Sequence, residues 1–117
     1  MIFVVDSDRV MAKCMEKAIL SLGEEVRVFE NVIEAMNGVD EAMPSLIFME
    51  VMLTGPDAWT FLNEMASYTD TAKIPVVLVS TIDFAGVDLS DYGVVGAINK
   101  DVMTPDEIKR YVLEYAG

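Results

Sequence analysis

Short apolar runs recur along the chain at Ile2 to Val5, Leu46 to Met49, Ile74 to Val79 and Val94 to Ile98, each rich in branched residues and closed by polar or turn residues. They predict buried parallel strands, because a strand covered on both faces has no need to alternate. Glu25 to Phe29 does alternate and predicts an edge strand with one face less covered. Between the strands the period turns helical. Met11, Met15, Ala18, Ile19 and Leu22 share one face of a helix ending at Gly23, where a left-handed cap costs little. Asn31 caps a second helix reaching about Asp40 with Val32, Ala35, Met36 and Val39 inward; Gly38 weakens it and Pro44 stops it. A third follows Asp57 and buries Phe61, Leu62 and Met65. The last opens on a capping box of Thr104 and Glu107, with Pro105 at its first position and Ile108, Tyr111, Val112 and Tyr115 inward. Thr81 to Tyr92 contains Gly86 and scattered Asp residues but no helical apolar face, so a fourth helix there is expected to be short or irregular.

Strands alternating with helices over short loops imply an α/β domain, a parallel sheet wound on both faces with right-handed crossovers. Five strands and about five helices are expected, in a single domain over residues 1–117, since no repeat, linker or low-complexity segment interrupts the chain. At 117 residues and 53% hydrophobic side chains, the chain can bury a real core and is not disordered. No apolar run approaches the roughly 18 to 20 residues of a membrane helix, and the amino terminus opens into a strand without a basic leader. A cytoplasmic location is the expectation.

Charge and missing residue types narrow the chemistry. Twenty acids against eight bases give −12, which disfavours direct binding to nucleic acid or to anionic membranes. The single Cys14 forms no internal disulfide and is expected to be an inert buried thiol; the nine methionines read mostly as core filler. Without any histidine, catalytic triads, His-ligated metals and phosphohistidine relays on this chain are excluded. Carboxylate, hydroxyl and lysine chemistry remains, with a hard cation such as magnesium as the compatible metal.

Ligands of open α/β sheets sit beyond the carboxyl ends of the strands, which gives weight to the residues there. They are Asp6-Ser7-Asp8, Glu50, Ser80-Thr81 and Asn99-Lys100. Neither GxGxxG nor GxxxxGK[ST] occurs, and no Ser/Thr-rich loop follows the first strand, which weakens nucleotide and flavin readings. Acids, a hydroxyl and an ammonium on one rim instead suit acyl-phosphate chemistry.

In order along the chain stand Val4-Val5-Asp6-Ser7-Asp8, Leu46 through Asp57 with Glu50 and Thr54-Gly55-Pro56, Pro75 through Ser80, and Lys100. The whole chain resembles a CheY-like response-regulator receiver domain. That resemblance implies a flavodoxin-like three-layer α/β/α sandwich with strand order 2-1-3-4-5. It places Asp6 as the first acid of the metal-binding pair and Ser7 where the second acid normally stands. It puts Glu50 at the phosphoacceptor position usually held by aspartate, and Ser80 and Lys100 at the hydroxyl and lysine that respond to phosphorylation. A weak Mg2+ site would then comprise Asp6, Glu50, the Met52 main-chain carbonyl and Asp8, unless Asp8 caps the first helix instead. Ala97 stands where many receivers carry a switching aromatic ring. Asp101 replaces the usual proline after the lysine, so a trans peptide and a rearranged loop are expected.

Glutamate at position 50 pushes its carboxylate about 1.3 to 1.5 Å further out than aspartate would. A misplacement of about 1 Å can cost on the order of 100-fold in rate, which disfavours phosphorylation there. The longer side chain can instead reach Lys100 or Ser80 and supply a permanent negative group. Asp6, Glu50 and Lys100 sum to −1, so the lysine can replace an obligate cation. The expectation is an atypical receiver, a binding module and not an enzyme, requiring no cofactor and meeting a signalling protein such as a histidine kinase or an output domain. The alternative is a competent receiver taking phosphoryl on a carboxylate with Mg2+; a flavodoxin-like ligand carrier is a third reading. Trp59, opening the third helix, is either a partner anchor or a cover for the rim.

Overall fold

The computed structural model describes residues 1–53, 57–84 and 86–116. Five parallel strands, β1 (Ile2–Val5), β2 (Val26–Phe29), β3 (Leu46–Glu50), β4 (Val76–Ser80) and β5 (Val94–Asn99), form one sheet in the order β2-β1-β3-β4-β5. Four helices connect or follow them: α1 (Arg9–Leu20), α2 (Val32–Glu41), α3 (Ala58–Ala66) and α4 (Pro105–Tyr115). This is the flavodoxin-like sandwich expected from the sequence.

The sheet divides the core into two layers because successive residues of a strand point to opposite faces. Ile2, Val4, Phe48, Val77 and Val79 pack with Met15 and Ile19 of α1 and Ile108 and Val112 of α4. Phe3, Val5, Met49 and Leu78 pack on the other side with Val32 and Ala35 of α2 and Phe61 and Leu62 of α3. Strands β1, β3 and β4 are buried along their whole length, as their unbroken apolar runs require.

Helix starts follow their capping residues. Asp8 accepts from the amides of Val10 and Met11, Asn31 from Glu34, Asp57 from Thr60 and Thr104 from Glu107. Helix α1 stops at Leu20, slightly before the predicted end. The Gly23 amide bonds back to the Leu20 carbonyl, and its φ of 80° turns the chain toward β2.

Three expectations need correction. Among the described residues the β4–β5 connection holds no α-helix, only a 3₁₀ turn at Ser90–Tyr92, so there are four α-helices where about five were expected, the fourth of them short or irregular if present. The reason is visible in the sequence: Thr81 to Tyr92 offers no apolar stripe to bury. Strand β5, predicted to be buried, is an edge strand with Val95 and Ala97 exposed. Cys14 is exposed, because the buried stripe of α1 runs through Ala12, Met15, Ala18 and Ile19 and leaves position 14 outside it. Met15, Met49 and Met65 do fill the core. No helix among the described residues is long and apolar enough to cross a membrane.

Candidate functional site

Parallel register sets the acids at one end of the sheet. Asp6 directly follows β1, and its amide donates to the Phe29 carbonyl at 2.9 Å, extending the ladder by one residue. Glu50 ends β3 opposite Val79, and Ser80 ends β4 opposite Asn99. The Lys100 amide donates to the Ser80 carbonyl at 3.0 Å, which brings the start of the next loop over the middle of the sheet.

These backbone positions converge three charges. Lys100 Nζ lies 2.8 Å from Asp6 Oδ2 and 3.2 Å from Glu50 Oε1. The Glu50 contact is a hydrogen bond; the Asp6 contact is a close ion pair, and Oδ2 has no hydrogen-bond partner among the described residues. The remaining oxygens are held by main chain: Asp6 Oδ1 accepts from the Asp8 amide and Glu50 Oε2 from the Val51 amide, both at 2.9 Å. The side chains are 1% exposed for Asp6, 9% for Glu50 and 10% for Lys100, so the acids are buried and the ammonium reaches the surface at one edge. Burial pulls the Lys100 pKa down, but the close contacts and negative charges of Asp6 and Glu50 together outweigh it and raise the ammonium above its ordinary value.

Sequence reasoning anticipated the Glu50–Lys100 contact and the convergence of Asp6 with both. The main-chain amides of Asp8 and Val51 carry no sequence signature and were legible only from the fold. Ser80 is buried beside the cluster, and its Oγ accepts from the Ile82 amide at 3.2 Å. Ala97 is exposed on β5 and Met52, beyond β3, is 64% exposed. The Lys100–Asp101 peptide is trans, and the Asp101 amide donates to Asn99 Oδ1 in a tight polar turn. Thr54-Gly55-Pro56 of the quoted motif lies outside the described residues. Trp59 is half-buried, its ring set edge-on to Phe84 and to Tyr92 at 6.2 Å each, so it covers the core beneath the β4–β5 connection.

The donor set does not make a divalent-cation site of Asp6, Glu50 and Asp8. Magnesium needs near-octahedral oxygen ligands. Asp8, which the sequence offered either as a third acid or as the cap of the first helix, takes the second role, its Oδ1 engaged in capping α1. Ser7 brings no carboxylate, and the free edges of Asp6 and Glu50 already share one ammonium. Among the described residues no three acidic, cysteine or histidine side chains converge to hold a metal ion.

Comparison with known proteins agrees with the geometry. The family described as response regulator receiver domain matches residues 2–113. The fold is similar to the NtrX receiver domain from Brucella abortus, with TM-score 0.84 and 21% identity over 97% of this chain and 96% of that one. It is similar to chemotaxis protein CheY4 from Vibrio cholerae at TM-score 0.85 and 14% identity, covering 97% and 96%. A two-component response regulator from Clostridium difficile gives TM-score 0.83 and 19% identity, covering 97% and 92%. At such identities these likenesses speak to fold alone. No curated protein matches significantly. The match across nearly the whole chain, on a sheet that gathers Asp6, Glu50, Ser80 and Lys100 at one end, places this protein in the response regulator receiver domain family.

Proposed function

We propose that this receiver acts in two-component signalling as a constitutive protein-interaction module, with its phosphorylation site closed by its own side chains. The observation that carries this reading is the buried bridge in which Lys100 joins Asp6 and Glu50. Glu50 Oε1, the oxygen nearest the lysine, is tied to the ammonium that would otherwise meet an incoming phosphoryl group, and Oε2 is tied to Val51. Both oxygens of the acceptor are engaged, and the carboxylate supplies the negative charge that phosphorylation would add. The domain then needs no cation for local neutrality, because the ammonium leaves the three groups at −1.

The test is intact mass after incubation with magnesium and a small acyl-phosphate donor, with peptide mapping of any adduct. The expected result is an unchanged mass on folded protein. A phosphoryl adduct on Glu50 would overturn the reading and make this a working phosphorelay component. The variant Glu50→Asp, one methylene shorter, withdraws the carboxylate from Lys100; an adduct on position 50 there would identify Glu50 as the element that closes the site.

A further inference from the structure

A parallel sheet is ordinarily covered by helices on both faces, and a crossover between parallel strands ordinarily supplies one. Helices α1 and α4 cover one face here, and α2 and α3 cover most of the other. Among the described residues the β4–β5 crossover contributes only the 3₁₀ turn, which leaves the α2/α3 face of β5 without a helix there. Leu78 and Ala97 are register partners on that face, and both line a groove of about 370 Å³. Its walls include Ile82, Val87 and Val95, apolar side chains that are 44%, 54% and 38% exposed. Such clustering of exposed branched residues around one concavity marks a binding surface more than scattered surface apolars do.

The groove persists because its outer wall is pinned. Trp59 on α3 packs against Phe84 and Tyr92, one from each end of the crossover, and so holds the connection down beside β5 instead of across it. The surroundings are acidic. Residues 81–99 contain Asp83, Asp88 and Asp91 and no lysine or arginine, on a chain of net charge −12. The Asp88 carboxylate accepts from the Ser90 amide at 3.0 Å and stands at the groove itself.

We infer that this groove takes an amphipathic helix from a partner protein, its aliphatic stripe against Ile82, Ala97 and Val95 and its flanks bearing lysine or arginine. The helix fills the layer that the chain's own crossover leaves open. A helix suits the site because its apolar residues at i, i+3, i+4 and i+7 form the narrow stripe a groove accepts, and cationic flanks meet the acidic walls. This inference rests on reading the domain as an interaction module and names the chemistry of its partner.

The probe is a synthetic helix-forming peptide of about 18 residues, long enough to hold some helix in water, with leucines at that spacing and lysines elsewhere. A peptide of identical composition and scrambled order is the control. Titration into isotope-labelled protein, followed by amide shifts, is expected to saturate, with the largest changes between Ile82 and Asn99 and about tenfold weaker binding of the scrambled peptide. Ala97→Arg sets a cation in the groove at an exposed position and should weaken binding by about tenfold. Asp91→Lys should weaken it several-fold and flatten its salt dependence. Amide spectra of both variants establish that they fold.

Absence of binding, shifts spread over the whole acidic surface, or equal affinity for the scrambled peptide would overturn the inference. So would indifference to Ala97→Arg, or concentration-dependent shifts at the same residues without peptide, which would make a second copy the occupant. The phosphorylation experiment fails or succeeds independently: an adduct on Glu50 sinks the closed-site reading without moving this titration, and a failed titration leaves the mass unchanged.

Discussion

Replacing Lys100 with methionine keeps most of the side-chain volume and removes the one cation that meets Asp6 and Glu50 among the described residues. Two carboxylates, 1% and 9% exposed, would then face each other without a counter-charge. Breaking a buried ion pair from one side costs about 3–5 kcal/mol. The lower end applies, because each acid keeps one oxygen bonded to a main-chain amide and Lys100 retains 10% exposure. A loss of about 3 kcal/mol lowers the melting temperature by about 12 °C, at about 4 °C per kcal/mol for a domain of this size. Thermal and urea unfolding of Lys100→Met and of the parent measure it. The double variant Lys100→Met/Glu50→Gln should recover at least half of the loss, since it removes one of the two unpaired charges. Magnesium should raise the melting temperature of Lys100→Met and leave the parent unchanged, because only the variant frees two carboxylates for a cation; a concentration ten times the dissociation constant is worth about 1.4 kcal/mol. If Lys100→Met melts within about 4 °C of the parent, or if Glu50→Gln brings no recovery, the bridge does not hold two otherwise unpaired buried charges.

The bridge also sets an alkaline limit. Because folding raises the Lys100 pKa above its ordinary 10.5, its stabilisation is fully present below that pH and is lost as pH rises through the folded value; urea midpoints between pH 9 and pH 12 should fall in the parent more than in Lys100→Met. Asp8→Ala should cost about 1 kcal/mol as the loss of a helix cap, read by urea unfolding, with no effect on magnesium affinity in a calorimetric titration. Gly38→Ala should destabilise by about 1–3 kcal/mol in the same assay despite the better helix propensity of alanine, since a methyl group there lands on the buried Phe29 ring.

Much of this was legible from the chain because buried parallel strands announce themselves as unbroken runs. Phe48, Met49 and Glu50 could be placed at the end of a strand before any contact was known. Caps were equally readable: Asn31, Asp57 and Thr104 are short polar residues immediately before an apolar stripe, and each accepts an amide hydrogen bond. For Asp8 the sequence left capping and metal ligation both open, since either needs a carboxylate just after β1. Only the distances to Val10 and Met11 choose between them. Cys14 was misplaced because a small apolar residue on an amphipathic helix is ordinarily counted with the buried stripe, and one residue's rotation of about 100° decides the matter. The exposure of β5 escaped because its composition is that of a covered strand. What uncovers it is a property of another segment, the crossover, whose described residues form no α-helix.

The same crossover lies between the proposed closed site and the rest of the surface. A phosphorylation signal needs a moving part between the acceptor and the docking face, with two discrete arrangements that phosphorylation can bias. On this route the parts are fixed or absent. Ser80 is buried with its hydroxyl occupied by the Ile82 amide, Ala97 has no side-chain torsion with which to swing, and Trp59 clamps Phe84 and Tyr92 at the two ends of the crossover. Glu50 holds Lys100 at one end of this route, and the groove beside Ala97 stands open at the other. If Glu50→Asp takes up a phosphoryl group, it should do so without regaining a switch: the variant is expected to bind the amphipathic probe peptide with the same affinity before and after treatment with the acyl-phosphate donor. A several-fold change in affinity upon phosphorylation would show that Ser80 and the crossover still carry the signal, and that only the acceptor had been silenced.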